Sequence, residues 1–238
     1  MIIIKKSICM IGHRGYSAKH LQNTAEAFIG AAKHGSGGVE TDVRITSDGV
    51  FVLSHNATAV FDDGTELEVA TSTYETLASR PLRNEVSSEK SYICTFRRYL
   101  EICREYNMIC FIEFKGKFPE EKICEAFELA DEVYDLSKCI LQSFEFENLI
   151  AAHEKFPKLE IMLTWGKDRG AYDRCFDYGF SIDASYWSAT PKLIKDFHSR
   201  GLKVGLWTAN TPWSLLRCRI LRPDYIESDK YGKRGAQA

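Results

Sequence analysis

The 238-residue chain contains no C-x-x-C pair, although it has eight cysteines, at positions 9, 94, 103, 110, 124, 139, 175 and 218. Paired thiols of that spacing are the usual mark of a zinc or redox motif, so neither is indicated. Most of the eight lie within apolar strand or helix patterns, which predicts reduced, mostly buried thiols and favours the cytoplasm. No segment approaches 18 uninterrupted apolar residues, which excludes a membrane-spanning helix. The opening MIIIKKSICMIG brings its charges after three apolar residues and offers neither an apolar leader core nor a small-residue cleavage site, so a soluble, unsecreted protein is expected. Charge of one sign is missing too: the formal net charge is -2, with Lys and Arg scattered. A nucleic-acid partner is therefore not expected. A Gly-rich dinucleotide loop, an internal repeat and a low-complexity tract are all absent.

What remains is an ordinary globular composition, with 45% hydrophobic residues and enough length for a sizeable core. Eight short β-branched or apolar runs punctuate it: Ile8 to Gly12, Val39 to Val43, Ile109 to Phe114, Ile140 to Ser143, Glu160 to Leu163, Phe180 to Asp183, Val204 to Trp207 and Tyr225 to Ser228. Helical patterns separate most of them, among them Thr24 to Lys33, Phe96 to Glu105, Glu120 to Val133, Glu145 to Lys155, Pro191 to Ser199 and Trp213 to Arg217. That alternation predicts a (β/α)8 TIM barrel, and a doubly wound open sheet lacks its phosphate loop. The whole chain, 1–238, reads as one such domain with an insertion at about 56–97.

The stretch GVETDVRITSDGVFVLSHN, Gly38 to Asn56, reads as an antiparallel hairpin placed on the second strand. Glu40 and Asp42 stand two apart, so both carboxylates leave the same face. A two- or four-residue loop sets His55 on that face as well, whereas a three-residue loop turns it to the other. Two like charges about 4 Å apart at an effective dielectric near 20 repel by roughly 4 kcal/mol, so a proton or a cation must sit between them. Barrel enzymes place their chemistry at the carboxyl ends of the strands. There the sequence puts His13 and Arg14 after the first strand, Glu40 and Asp42 on the second, Glu113 and Lys115 at the third, and Phe144 and Trp207 at later ends. Asn23 and Glu26 have capping-box spacing, so Asn23 is expected to cap a helix. His20, His34, His153 and His198 are expected at the surface without partners.

The runs HRGYSAKHLQNTAEAF, GVETDVRITSDG, VLSH and FIEFK, with the weaker later matches LQSFEF, VGLWTAN and YIESD, resemble the glycerophosphodiester phosphodiesterase family. The resemblance implies a metal-dependent barrel that cleaves glycerophosphodiesters to glycerol 3-phosphate and an alcohol. It implies that His13 and His55 are the catalytic histidines, that Glu40, Asp42 and Glu113 hold one divalent cation, Ca²⁺ or Mg²⁺, and that Arg14 and Lys115 lie near the phosphate. The chemistry calls for those residue types independently. A hard, oxygen-ligated cation offsets phosphodiester charge, and two histidines can divide the proton transfers. Phe144 and Trp207 would form an apolar wall for the substrate. The chain departs from the family at Asn56, where an Asp is common, at Leu21 and Gln22, where a Pro is usual, and at Ala57 to Asp62, which replaces an Arg and Thr run. A lysophospholipase D-type activity and a silent phosphodiester-binding barrel are the alternatives. Too few apolar residues in the insertion disfavour the first, since an acyl chain needs an apolar groove, and complete retention of histidines and carboxylates disfavours the second.

Overall fold

The computed structural model describes residues 7–232. Eight parallel strands close on themselves in the order β1 (Cys9–Gly12), β2 (Gly38–Ile45), β6 (Ile109–Phe114), β7 (Cys139–Ser143), β8 (Glu160–Trp165), β9 (Ser181–Ser185), β10 (Val204–Trp207) and β11 (Tyr225–Ser228), and β1 pairs with both β2 and β11. The expected (β/α)8 barrel is the observed fold. The short strands β3 (Phe51–Leu53), β4 (Thr58–Val60) and β5 (Glu66–Glu68) lie outside the ring. Residues 1–6, which open the leader reading, lie outside the described residues.

Around the ring run α1 (Ala25–His34), α3 (Phe96–Tyr106), α4 (Glu120–Val133), α5 (Phe146–Lys155), α6 (Arg169–Tyr178), α7 (Pro191–His198) and α8 (Pro212–Leu221), with the short α2 (Tyr74–Ala78) in the insertion. Threonines start most of them: Thr24, Thr95, Thr190 and Thr211 each accept a backbone N–H of the first turn. Each such cap is typically worth about 1 kcal/mol. Two helices depart from the sequence reading, since α8 continues to Leu221 and α6 was not among the segments expected. Among the described residues no helix is long and apolar enough to cross a membrane.

Period-two alternation along each strand divides the core in two. Val39, Val43, Ile112 and Ile182 face outward into the layer beneath the helices. Ile11, Phe111, Ile140, Met162 and Tyr225 fill the lower barrel interior as a separate cluster, with Phe111 and Tyr225 edge to face at 4.9 Å. The insertion closes over its own small core of Ala59, Phe61, Val69, Leu77 and Ile93 against Val52. None of the eight cysteines forms a disulfide, and six are buried.

The hairpin settles the open question of its loop. Val43 pairs with Leu53 and Ile45 with Phe51, and Thr46 N–H donates to the Val50 carbonyl, so Ser47, Asp48 and Gly49 form a three-residue loop. Gly49 sits at φ +84°, a conformation that glycine adopts without a Cβ penalty.

Candidate active site

Two residues further along the same interior face, the barrel changes from apolar to polar. Phe111 gives way to Glu113, Ile140 to Gln142, Met162 to Thr164 and Tyr225 to Glu227, while β2 adds Glu40 and Asp42 and β9 adds Asp183. All seven are buried, at the carboxyl ends of the strands. Above them opens a cleft of about 430 Å³, its mouth included, lined by His13, Arg14, His55, Lys115, Phe144 and Trp207 among others.

Five carboxylates therefore share a site with two permanent cations. Arg14 Nε lies 3.0 Å from Asp42 Oδ2, and Lys115 Nζ lies 2.8 Å from Asp42 Oδ1 and 2.7 Å from Glu113 Oε1. Burial alone would push Asp42 up, but the Arg14 and Lys115 charges outweigh it and hold the carboxyl below its usual range. Burial and the neighbouring carboxylates, Asp42 foremost, push Glu40 well above its ordinary value. Burial likewise raises Asp183, with Glu227 adding to it, and raises Glu113 in spite of Lys115. The site holds more negative charge than its own cations offset.

Glu40 focuses that excess. One of its oxygens accepts the Arg14 backbone N–H at 2.9 Å, with Arg14 held at φ +53°, while the other is buried with no hydrogen-bond partner among the described residues. Glu40, Asp42 and Glu113 each offer an oxygen within 4.8 Å of the others. An all-oxygen anionic set with one orphaned carboxylate oxygen suits a hard divalent cation. His13, Glu40 and Glu227 converge to the same degree, so Glu40 lies at the junction of two groups.

The histidines reach the cleft by different routes. His13 follows β1 directly, and its Nδ1 is 2.7 Å from Asp229 Oδ1, which leaves Nε2 toward the interior, 4.0 Å from Glu40 Oε2. His55 lies beyond Leu53, the last paired residue of β3. Strand alternation with a three-residue loop would have turned it outward. The strand stops first, and the chain turns to bring His55 to the cleft. Its Nδ1 is 3.0 Å from Asn56 Oδ1, an atom that only accepts, so Nδ1 carries the hydrogen. Burial and the nearby Arg14 lower the His55 pKa.

Every residue singled out from sequence, His13, Arg14, Glu40, Asp42, His55, Glu113, Lys115, Phe144 and Trp207, lies in this cleft or directly beneath it. Phe144 and Trp207 meet edge to face at 6.4 Å on its rim. Other expectations are corrected. Thr24, not Asn23, caps α1. Asn23 sits at φ +58°, donates to Asp42 Oδ2 at 2.7 Å and accepts from Thr41 Oγ1 at 2.8 Å, so it orients a carboxylate. His153 and His198 are exposed and His20 and His34 half-buried, so their surface placement holds, but each has a partner: His20 pairs with Glu89, His34 stacks on Tyr16, His153 packs against Phe180, and His198 bonds the buried Asp224. Sequence reasoning also passed over Gln142, Asp183, Glu227 and Asp229. In YIESD the last two stand two apart, the same spacing that drew attention to Glu40 and Asp42.

Known proteins agree with this picture. The model of the glycerophosphoryl diester phosphodiesterase family matches residues 13–233. Glycerophosphodiester phosphodiesterase 1 of Mus musculus is 25% identical over 243 residues, covering 86% of this chain and 72% of its own. A glycerophosphodiester phosphodiesterase of Caldanaerobacter subterraneus is 26% identical over 212 residues, covering 84% and 85%. An Oleispira antarctica phosphodiesterase, solved in complex with the product sn-glycerol-3-phosphate, shares the fold with a TM-score of 0.84 at 21% identity over 96% of this chain and 95% of its own. With the match spanning nearly its whole length, the chain belongs to the glycerophosphoryl diester phosphodiesterase family, and it is a phosphodiester hydrolase.

Proposed function

We propose that the chain hydrolyses glycerophosphodiesters to glycerol 3-phosphate and an alcohol, with a divalent cation, Ca²⁺ or Mg²⁺, held by Glu40, Asp42 and Glu113. The observation that carries this reading is the convergence of two histidines, Arg14 and Lys115 on one cleft over an under-neutralised carboxylate set. The Oleispira relative, solved with glycerol 3-phosphate, supports the product. Eight cysteines with no disulfide among them support a reducing compartment and hence the cytoplasm. When bound, the cation supplies positive charge to the phosphoryl oxygens and orients them.

The remaining work falls to the chain's own groups. Arg14 and Lys115 attract and orient the anionic diester, one as a planar fork and the other as a point charge. His55, kept as the free base by burial and Arg14, accepts the proton of the attacking water at Nε2. His13, backed by the Asp229 carboxylate at 2.7 Å, donates a proton from Nε2 to the departing alkoxide. The new P–O bond to water forms as the bond to the alcohol breaks, and the two proton transfers keep the charge balanced. Each histidine is worth about 10² to 10⁴ in rate. Phe144 and Trp207 wall the cleft and limit water at the reacting bond.

The test is an assay of the purified chain against a panel of glycerophosphodiesters with Ca²⁺ or Mg²⁺, reading glycerol 3-phosphate. Release that needs the cation is expected. Failure to release it from any diester with either ion rejects the reading.

A further inference from the structure

The outer face of a barrel helix is ordinarily polar, because it meets water while the opposite face covers the sheet. In α8 the outer face is apolar instead. Ser214, Leu215 and Cys218 are buried, while Trp213, Leu216 and Ile220, in register on the outward side at i, i+3 and i+7, are 61%, 51% and 70% exposed. The loop between β9 and α7 adds Trp187, 67% exposed. Arg217 binds that loop to α8, donating from Nε to the Tyr186 carbonyl and from Nη2 to the Ala189 carbonyl, both at 3.0 Å. Eight large apolar side chains are exposed among the described residues, and four of them share this face, so it is a patch and not scattered exposure. Neither tryptophan lines the cleft, although both follow the carboxyl ends of their strands and so stand at the cleft's end of the barrel.

The charge around the patch selects its occupant. Residues 186–223 carry seven Lys or Arg and one acid, a formal net of +6 in a chain whose total is -2. Lys192 and Lys203 are paired, with Asp196 and Glu160. Lys195 on α7, Arg217 on α8 and Arg222 at the end of α8 have no carboxylate within ion-pair distance among the described residues. Two copies meeting through an isologous interface would set these charges against one another. A small soluble anion would meet the charge but leave the four apolar side chains in water. An anionic bilayer satisfies both: indole rings settle at the headgroups, aliphatic side chains enter the acyl boundary, and Lys and Arg pair with lipid phosphates. We propose that α8 and the β9–α7 loop form a docking surface that seats the chain reversibly on an anionic lipid bilayer, through Trp187, Trp213, Leu216 and Ile220 with Lys195 and Arg222 beside them. The contact is peripheral and independent of the reaction proposed above.

Sedimentation of the purified full chain with sucrose-loaded vesicles tests this without turnover. Vesicles of phosphatidylcholine alone are compared with vesicles in which about a third of the lipid is phosphatidylglycerol. The wild type is expected to bind the anionic vesicles about tenfold or more tightly than the neutral ones, and to be released as salt is raised. Trp187→Ser combined with Trp213→Ser should weaken binding about fivefold or more. Lys195→Glu combined with Arg222→Glu should weaken it about tenfold or more. All four positions are exposed, so both double variants should keep the circular dichroism of the wild type. A wild type left in the supernatant with anionic vesicles, or bound equally to both kinds, overturns the proposal. So does binding unchanged in either folded double variant. Sedimentation velocity without lipid checks the rival occupant: a stable dimer that the tryptophan substitutions disperse would make this face a subunit interface and overturn the lipid assignment.

Discussion

Lys115 and a divalent cation have claims on the same oxygens, and replacing Lys115 with methionine separates those claims. The ammonium is 2.8 Å from Asp42 and 2.7 Å from Glu113, on a side chain only 15% exposed. Methionine keeps the apolar stem and removes the charge. Asp42 retains Arg14 at 3.0 Å, whereas Glu113 has no other cation within ion-pair distance among the described residues. Breaking a buried pair by removing one partner costs about 3 to 5 kcal/mol. With Asp42 still compensated, the lower end applies, so Lys115→Met should lose about 3 kcal/mol in chelator. A cation bound only by the native state returns about 2.7 kcal/mol at a hundredfold excess over its Kd. Because the ammonium no longer competes for the carboxylates, the variant should gain more from the ion than the wild type does. Urea unfolding near neutral pH, in chelator and in excess Mg²⁺ or Ca²⁺, measures both losses. The deficit should be smaller with the ion than in chelator, by the amount that the variant gains over the wild type. An equal deficit under both conditions would falsify the sharing of those oxygens, and with it the proposed ligand set.

Three further outcomes are expected. His13→Ala and His55→Ala should each lower kcat by about 10² or more with the fold intact by circular dichroism, and near-normal turnover in either would remove that histidine from proton transfer. In the metal-free protein, the folded pKa values of Glu40 and Asp183 lie well above 4.5 and 3.8, so the native state binds more protons than the unfolded chain from about those values upward. Chelated stability should then fall as pH rises from about 5 toward 8 and recover with added cation; a denaturation midpoint flat over that range contradicts the account. Asn56→Asp places a carboxylate where Asn56 Oδ1 now lies 3.0 Å from His55 Nδ1, at an exposed position. Worth about 1 kcal/mol in high dielectric, this favours imidazolium and should move the acid limb of the kcat/KM profile upward by about one pH unit or less, and a limb that stays or moves down refutes His55 as the base.

The barrel was legible because its strands are short β-branched runs and the helices between them carry apolar faces. Where that face is thin the reading failed. In α6 only Tyr172 and Cys175 are buried, so its ten residues carry little periodic signal. The site was legible where two acids alternate on one strand, as Glu40 and Asp42 do. Asn23 was misread because its spacing to Glu26 imitates a cap, while its true partners, Thr41 and Asp42, lie 18 and 19 residues away. Asp183 and Gln142 were passed over because each is a single polar residue at a strand end. Only closure of the ring brings them together, across a separation of 41 residues.

The same period that builds the core also meters the charge of the site. Each strand that contributes a bulky residue to the lower interior, Phe111, Ile140, Met162 or Tyr225, contributes a polar one a single repeat above it. The apolar layer closes the barrel from below, so the carboxylates above it are cut off from water on that side and their mutual repulsion is little screened. On the β1, β2 and β6 side Arg14 and Lys115 offset part of that repulsion. On the β8 to β10 side no fixed cation pairs with Asp183 among the described residues, and Gln142 ties it to Glu227 through one amide nitrogen. The cleft thus presents positive charge at one wall and hydrogen-bonding groups at the other. On the proposed reading, the positive charge that a cation held by Glu40, Asp42 and Glu113 would bring to this crowded layer opposes the repulsion it stores.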